Sequence, residues 1–230
     1  MTKNNDEPST WDREYQLLRS IPSSGRKAPS KALRILAPLA DLPKTELALD
    51  AGCGNGRNAV FLAKQGCRVI AADFSDAALD LTRSLSAEYK VHSLVEPAKL
   101  NLHGVFPYRD RTFNLCLDSY VSCHFGDEDD FAQYWSELTR VTKDGGLIFT
   151  SMFCEDDQLY AKYKHSTPNH QEATDPANGI TKILYTEQQF KSLFKPPLRI
   201  EYFVKFQFAD VVSGIEYIRS LLVALLVKAA

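Results

Sequence analysis

A glycine-rich turn and a later acid are the residues of this 230-residue sequence that could perform chemistry together. The turn reads DAGCGNG over residues 50–56, with glycines at Gly52, Gly54 and Gly56 after Asp50. Glycines let the backbone turn tightly and approach a ligand, because no Cβ stands in the way. Asp73 follows at a spacing close to the roughly 20 residues at which an acid reaches ribose hydroxyls. The pattern therefore predicts a site for a nucleoside.

Arg57 separates this turn from the dinucleotide-binding fingerprint. The fingerprint G-x-G-x-x-G has its third glycine where Arg57 stands, so the sequence disfavours a bound pyrophosphate. Asp50, directly ahead of the glycines, instead suits a ligand with an amino acid part, whose ammonium group a carboxylate or carbonyl stabilises. A nucleotide-dependent oxidoreductase remains an alternative that nicotinamide titration would test.

Strands and helices alternate on both sides of the turn. Strands are predicted over 47–50, 68–72, 113–117 and 146–153, and helices over 57–65, 75–85 and 129–142. Alternation of this kind predicts an α/β fold, because each parallel strand must be reached by a crossover along a face of the sheet. Ligands of such sheets bind beyond the carboxyl ends of the strands, where the turn and Asp73 are expected.

The remaining segments follow other patterns. Helices are predicted over 11–19 and 31–39 around a loop at 22–30, and a further helix over 186–194. Strands are predicted over 198–208 and 220–228, the latter antiparallel. Residues 154–183 are polar and turn-rich, which predicts an insertion near the carboxyl edge of the sheet.

Three ordered motifs resemble those of the class I S-adenosyl-L-methionine-dependent methyltransferases. The turn over 50–56 matches the first motif of that family. PYRDRTFN over 107–114 is similar to the stretch before its fourth strand, and RVTKDGG over 140–146 to the turn before its fifth. The resemblance extends over about 47–153, and GCGNGRN over 52–58 together with residues 100–102 is similar to the tellurite-resistance methyltransferases.

The resemblance implies a particular fold for the whole chain. We expect one methyltransferase domain over residues 1–230, built as a three-layer Rossmann-like sandwich. Its seven-stranded sheet would be mostly parallel with an antiparallel final strand. Residues 1–40 would form a helical flap over the cofactor, and the insertion at 154–183 would lie near the active site.

The resemblance also implies S-adenosyl-L-methionine as cofactor, with roles for individual residues. The methionine part would lie on Gly52, Gly54 and Gly56, near Asp50. The ribose hydroxyls would bind Asp73. The adenine contacts would be Phe74, Asn101 and Leu102, with the Asn101 amide oxygen accepting from the adenine amino group.

The turn after the fourth strand contains the residues expected to act on the methyl acceptor: Asp118, Tyr120 and His124. Asp118 could receive the ammonium group of the cofactor through its backbone carbonyl or its side chain, and His124 could take a proton from the acceptor near neutral pH. Tyr120 could pack on the acceptor. Each has an alternative: Asp118 as a cap, His124 as a packing residue and Tyr120 as part of the core.

Cysteines and histidines give no sign of a metal site. The five cysteines include no C-x-x-C pair, which indicates reduced thiols and a cytoplasmic protein. Cys123 next to His124 has no identifiable third group for nucleophilic catalysis. His165, His170 and Glu172 match neither a helical pair nor a zinc finger spacing. No bound metal is expected.

Composition narrows the possible partners. The formal net charge of −2 predicts no general affinity for nucleic acid, and no apolar stretch reaches the ~18 residues of a membrane span. We therefore expect a small-molecule methyl acceptor that attacks the methyl group of the cofactor by in-line displacement, with the oligomeric state undetermined. A non-catalytic cofactor-binding module and an aminopropyl transferase stay as alternatives.

Overall fold

Five parallel strands form the centre of the protein. The computed structural model describes residues 8–17, 24–40, 47–168, 170–176 and 178–229. The central strands are β1 (Leu47–Ala51), β2 (Arg68–Asp73), β3 (Val95–Lys99), β4 (Phe113–Ser119) and β5 (Thr142–Cys154). They pair in the order β3-β2-β1-β4-β5. The chain reverses its direction of travel across the sheet between β1 and β4, and at such a switch point a crevice opens beyond the carboxyl ends.

Three helices connect these strands, and two of them begin at a side-chain cap. They are α3 (Arg57–Lys64), α4 (Asp76–Glu88) and α5 (Glu128–Val141). The Ser75 hydroxyl accepts from the Ala78 N–H at the start of α4, and Asp127 accepts from two N–H groups at the start of α5. The predicted helices and strands of this region are confirmed, with ends shifted by a few residues.

The strand β3 is an element that the sequence analysis did not predict. Its five residues, VEPAK, include Pro97, which lacks a backbone donor and lowers the β-propensity of so short a segment. It lies at the edge of the sheet and pairs only with β2 among the described residues. An edge position tolerates proline because one side of the strand needs no ladder hydrogen bonds.

The sheet continues beyond β5 with a long hairpin of β9 (Leu198–Val212) and β10 (Ile215–Lys228). The strand β10 runs antiparallel to both β5 and β9. The path β3-β2-β1-β4-β5-β10-β9 contains the predicted mostly parallel strands and the antiparallel final strand, and both are confirmed. The described sheet has ten strands rather than the predicted seven, because three short strands of the insertion join it beside β5. Only residues 221–227 of β10 pair with β5, so the tip of the hairpin projects past the carboxyl end of β5.

The segment between β5 and β9 contains more secondary structure than its polar sequence indicated. It forms α6 (Gln158–Ala161), β6 (Lys164–Ser166), β7 (Gln171–Thr174), β8 (Thr181–Tyr185) and α7 (Glu187–Ser192). The strand β8 pairs in parallel with the carboxyl end of β5, and β7 and β6 follow it antiparallel. Strands of three to five residues have too few alternations to be recognised in a polar segment.

The first two helices are α1 (Pro8–Leu17) and α2 (Lys31–Leu36), the latter followed by a 3₁₀ turn over Ala37–Ala40. The predicted residues 18–19 of the first helix, part of the predicted loop and residues 1–7 of the predicted flap lie outside the described residues. Asp12 attaches α1 to α4, because its Oδ1 accepts from the Ser75 hydroxyl at 2.8 Å and from the Ala77 N–H at 3.0 Å.

Apolar side chains of the central strands form the core. Leu49, Leu117, Phe149 and Leu222 are buried between the sheet and its helices. Burial of such side chains stabilises the fold by about 1.5–3 kcal/mol each. Within the described residues, no helix combines the length and the apolar character that a membrane span requires.

Candidate functional site

A cavity of about 290 Å³ opens at the carboxyl ends of β1, β2 and β4. Its floor contains the glycine turn, Asp73 and Phe74, and the residues that follow β4. Trp11 and Tyr15 of α1 cover one side, while residues of the insertion and of the β9–β10 hairpin form another. The volume is close to the lower end of the roughly 300–1,000 Å³ found for small-molecule sites. The cavity thus lies where the sequence analysis predicts the ligand.

The glycine turn is shaped by conformations and contacts that require glycine. Gly52 and Gly54 line the cavity, and their φ angles are +66° and +56°. A Cβ on Gly54 would lie 2.5 Å from the Tyr15 hydroxyl oxygen, and a Cβ on Gly52 would lie 2.5 Å from Val121. Both glycines therefore present bare backbone to the cavity.

Gly56 has a different position in the turn. It does not line the cavity; it adopts a φ of +78° as the residue directly before α3. A Cβ there would lie 2.6 Å from the Thr82 hydroxyl, so close contact with α4 requires glycine. Gly56 stays a predicted cofactor residue, and its close neighbour in the structure is Thr82 of α4.

Asp73 stands at the end of β2 and closes the glycine turn. Its Oδ2 accepts from the Gly54 N–H at 2.9 Å, and its Oδ1 accepts from the Ser75 N–H at 3.0 Å. Burial raises the pKa of this carboxyl, and the N–H groups of Ser75 and Gly54 oppose the shift. Each carboxylate oxygen has a second lone pair, so Asp73 can accept further hydrogen bonds from a ligand in the cavity.

Asp50 lies behind the turn and is 1 % exposed. Its Oδ2 has no hydrogen-bond partner among the described residues. Desolvation raises the pKa of Asp50 to about 7, with the nearby Asp73 adding to the shift. A buried carboxyl oxygen without a donor is costly. This residue does not line the cavity, but its charge is felt at the turn, so a cationic group bound there would be stabilised.

The residues predicted to contact adenine separate into two groups. Phe74 and Leu102 line the cavity. Asn101 is exposed, and its side-chain oxygen accepts from the His103 N–H at 3.0 Å, so it does not reach the lining. His103, which the sequence analysis did not single out, lines the cavity beside Phe125 at a ring distance of 4.7 Å.

Asp118 does not enter the cavity, contrary to the expectation that its side chain receives the ammonium group of the cofactor. It is fully buried. Its oxygens accept from the Ser122 N–H at 2.8 Å and from the hydroxyls of Ser122, Thr150 and Tyr134 at 2.6, 2.7 and 3.2 Å. These four donors satisfy the carboxylate inside the fold. Asp118 therefore holds the turn after β4, as its alternative interpretation proposed.

His124 lines the cavity, but its environment corrects the prediction of a proton acceptor near neutral pH. Its Nδ1 lies 2.9 Å from the Thr181 carbonyl oxygen, so Nδ1 carries the proton because a carbonyl only accepts. Desolvation lowers the pKa of His124 to about 3, and Lys182 adds to the shift. The ring also packs edge-on against Trp11 at 4.9 Å. The neutral ring is therefore a poor base.

Tyr120 has the most unusual backbone at this site. Its φ is +63°, which is rare for a bulky residue and occurs chiefly where the surroundings enforce it. The ring lines the cavity and stacks on Phe153 at 5.1 Å. Burial raises the pKa of the Tyr120 hydroxyl to about 12. Tyr120 thus presents a neutral phenol to the cavity.

Several cavity residues could not be predicted from local sequence patterns. Arg219 comes from β10 and Tyr160 from α6, and both line the same cavity. Their neighbourhood depends on the pairing of β10 with β5 and on the fold of the insertion. Among the described residues, no three His, Cys, Asp or Glu side chains form a metal-binding group. His165 and His170 instead contact one carboxylate, that of Glu172, at 3.3 and 2.7 Å.

Sequence comparison finds a known domain family in the central part of the chain. Residues 49–150 match the family model of a methyltransferase domain. The chain is 32 % identical over 147 residues to a demethylmenaquinone methyltransferase of Thermobifida fusca, covering 63 % of this chain and 57 % of that protein. It is 28 % identical over 155 residues to a tRNA (carboxymethyluridine(34)-5-O)-methyltransferase of Arabidopsis thaliana, covering 66 % and 35 %. The matches thus span between about a third and three fifths of these relatives.

Solved structures have the same fold. An S-adenosylmethionine-dependent methyltransferase of Methanosarcina mazei superposes with a TM-score of 0.69 at 21 % identity, covering 84 % of this chain and 97 % of that one. At this identity the likeness concerns the fold. Residues 49–150 thus match a methyltransferase domain, and the chain has the Rossmann-like fold of S-adenosylmethionine-dependent methyltransferases.

Proposed function

We propose that this chain binds S-adenosyl-L-methionine in the cavity and transfers its methyl group to a small-molecule acceptor. One observation carries the proposal: the bare backbone of Gly52 and Gly54 and the carboxylate of Asp73 face the same cavity. Bound there, the cofactor would supply a methyl group that is electrophilic because it is attached to a sulfonium. Both relatives described above are named as methyltransferases, which agrees with the proposal.

The residues present fit this cofactor. A Cβ on Gly54 would collide with Tyr15 and one on Gly52 with Val121, so both positions require glycine, and their backbone lines the cavity. The unsatisfied Oδ2 of Asp50 behind the turn suits a ligand with positive charge. Asp73 would hold the ribose hydroxyls, and Phe74 and Leu102 would contact the adenine.

The chain contributes alignment and exclusion of water. Trp11 and Tyr15 cover the turn, so the reacting groups would meet away from bulk solvent. Methyl transfer needs the attacking atom in line with the bond that breaks, and a closed cavity restricts the acceptor to few orientations. Because His124 is a poor base and Asp118 is saturated, we propose that the acceptor enters with its attacking lone pair already free.

A small acceptor is favoured over a nucleic acid. The cavity is enclosed on several sides by α1, the insertion and the hairpin, and its volume leaves little room for a polymer. The formal net charge of −2 would not attract phosphates. We therefore propose a small acceptor for this chain rather than a tRNA, which is the acceptor named for the Arabidopsis thaliana relative.

Titration calorimetry tests cofactor binding. We expect the wild type to bind S-adenosylmethionine and S-adenosylhomocysteine, and Asp73→Ala to lose about 1.5–3 kcal/mol of binding free energy for each charge-assisted hydrogen bond removed. Asp76→Ala is the matched control, because this nearby acid is exposed and pairs with Lys99 outside the cavity. Equal losses in the two variants would contradict the assignment of Asp73.

A methyl-label transfer assay tests catalysis. Wild-type protein, labelled S-adenosylmethionine and a panel of small acids, amines, thiols and phenols should give a labelled product, whereas Asp73→Ala should give less product at low cofactor concentration. A parallel reaction contains tRNA, and labelled tRNA in place of a small product would refute the proposed acceptor class. Cofactor binding without any product would favour the non-catalytic module.

A further inference from the structure

We propose that the methyl acceptor is a small planar molecule with a carboxylate, and that Arg57 receives this carboxylate. The inference rests on the proposed function, because it concerns the second ligand of the same cavity. It names a substrate class and a binding residue beyond the glycine turn. Arg57 stands where the dinucleotide fingerprint has its third glycine, and the proposed function assigns no role to it.

Arg57 is a half-buried cation without a carboxylate partner. It is the first residue of α3, directly after Gly56, and it lines the cavity. Among the described residues, the guanidinium hydrogen-bonds only to the Ala28 carbonyl oxygen, at a long 3.4 Å, and no carboxylate lies within ion-pair distance; the buried Asp50 acts on its charge from farther away. Desolvation lowers the pKa of Arg57, which reflects a charge removed from water. A desolvated cation is stable only when an anion compensates it.

The charges of the cavity wall are unbalanced in the same direction. Its cationic side chains are Arg26, Lys31, Arg34, Arg57, Lys182 and Arg219. Three lining aspartates, Asp73, Asp175 and Asp210, oppose them; behind the wall, Asp157 pairs with Arg219 at 2.9 Å and the buried Asp50 acts on Arg57, which leaves six cations against five acids. This local surplus of positive charge contrasts with the net charge of −2 of the whole chain. A cavity with such a surplus concentrates anionic ligands.

Other cations of the wall already have partners or remain in solvent. Arg26 pairs with Asp210 at 3.0 Å, and Lys31 lies 4.1 Å above the Phe208 ring with the same aspartate at 4.0 Å. Arg34 is exposed, so water solvates its charge. Lys182 lies 4.8 Å above the Tyr160 ring, and Arg219 pairs with Asp157. Arg57 is therefore the cation of this wall that most needs an anion from a ligand.

Aromatic rings stand beside Arg57 and indicate a planar acceptor. Tyr120 and Phe153 stack at 5.1 Å, and Phe153 packs edge-on against Tyr160 at 4.8 Å. Arg57 and Tyr120 line the same cavity, and the positive charge of Arg57 lowers the pKa of the Tyr120 hydroxyl. Ring faces bind flat molecules through stacking and edge contacts. A ring held there could place its carboxylate on the guanidinium.

The cofactor cannot balance these charges by itself. S-adenosylmethionine carries a sulfonium and an ammonium group against one carboxylate, so its binding increases the positive surplus. Arg57 could still receive the carboxylate of the cofactor, and that possibility defines the competing outcome of the test. An acceptor carboxylate would instead bring the charge that the complete cavity lacks.

The experiment compares the affinities of two planar probes of similar size, one with a carboxylate and one with a neutral amide. Binding of 4-hydroxybenzoate and of 4-hydroxybenzamide is measured by calorimetry, with the protein saturated by S-adenosylhomocysteine. We expect the acid to bind roughly 10- to 100-fold more tightly than the amide, as for hydrogen bonds to a charged group. Arg57→Gln should lose this preference while its affinity for the amide and for S-adenosylhomocysteine stays within twofold. Arg57→Lys should keep part of it.

Arg83→Gln is the control, since this exposed arginine on α4 pairs with Asp80 and lies outside the cavity. Far-UV circular dichroism verifies that each variant is folded. Equal affinity of the wild type for acid and amide, or no binding of either, would overturn the proposal. A loss of S-adenosylhomocysteine affinity in Arg57→Gln with the acid preference intact would assign Arg57 to the cofactor. Failure of the wild type to bind S-adenosylhomocysteine would instead refute the proposed function.

Discussion

His124 illustrates, at the scale of a residue, how burial changes the chemistry that a side chain can perform. The same imidazole in water would titrate near pH 6.5 and could accept a proton from a substrate. Here Trp11 covers the ring, the Thr181 carbonyl accepts from Nδ1 and Lys182 contributes positive charge. Desolvation disfavours the imidazolium most strongly, and the charge of Lys182 adds to this effect. Only the hydrogen bond to Thr181 favours the imidazolium among these causes. The sequence shows the histidine but not this covering.

The first prediction concerns the stability of His124→Gln against pH. Because the folded-state pKa of His124 is about 3, the unfolded chain binds more protons between pH 6.5 and pH 3. The wild type therefore loses stability as the pH falls through this window, by at most about 1.4 kcal/mol per pH unit from this group. Chemical denaturation at several pH values should show the variant gaining on the wild type below pH 6.5.

NMR provides the direct measurement of the same residue. The His124 ring signals, assigned by their loss in His124→Gln, should remain those of the neutral Nδ1–H form at pH 5. A midpoint near pH 6.5 for these signals would contradict the buried, neutral ring. It would also restore His124 as a candidate base.

At the scale of elements, α1 is the helix whose position most affects the cavity. Tyr15 faces Gly54 and Trp11 faces His124, so α1 forms one wall of the candidate site. Asp12 is its attachment to the body, since it accepts from Ser75 and Ala77 at the start of α4. A carboxylate near the N-terminus of a helix is stabilised by the helix dipole. The backbone hydrogen bond from Ala77 lowers the pKa of Asp12.

The second prediction is that Asp12→Ala loosens α1. Loss of the two hydrogen bonds should favour opening of this helix by on the order of 1 kcal/mol or more, because each such bond contributes about that amount. Hydrogen exchange of residues 8–17 should then be faster by about fivefold or more, with the central strands unchanged. Asp80→Ala is the control, an exposed acid on α4 that pairs with Arg83. Equal exchange in both variants would show that Asp12 does not hold α1.

At the scale of the whole molecule, one buried ion pair connects distant parts of the chain. Asp157, at the start of α6, accepts from the Arg219 guanidinium at 2.9 Å and from the Ser220 N–H at 3.0 Å. The guanidinium also lies over the rings of Phe153 and Tyr160. The insertion, β5 and the long hairpin therefore meet at Arg219, beside the cavity.

The third prediction compares two adjacent acids. Asp157→Asn should destabilise the fold by about 3–5 kcal/mol, because it leaves the buried Arg219 without its counter-charge. Asp156→Asn should cost about 0–1 kcal/mol, since Asp156 is exposed and pairs with Lys205 at the surface. Urea denaturation of both variants provides the measurement. Similar losses for the two substitutions would show that the Arg219 pair does not join these elements energetically.

Local sequence determined the turn, the strands that flank it and the capped helices, because glycine conformation, apolar runs and cap residues act within a few positions of each other. It also predicted that Asp73 and the glycine turn lie at one edge of a parallel sheet. The cavity opens at this edge. Tertiary structure alone decided that Asp118 is enclosed by four donors, that His124 is neutral and that Arg219 and Tyr160 reach the same cavity. These properties depend on desolvation and on strands paired across long sequence separations, which no local pattern encodes.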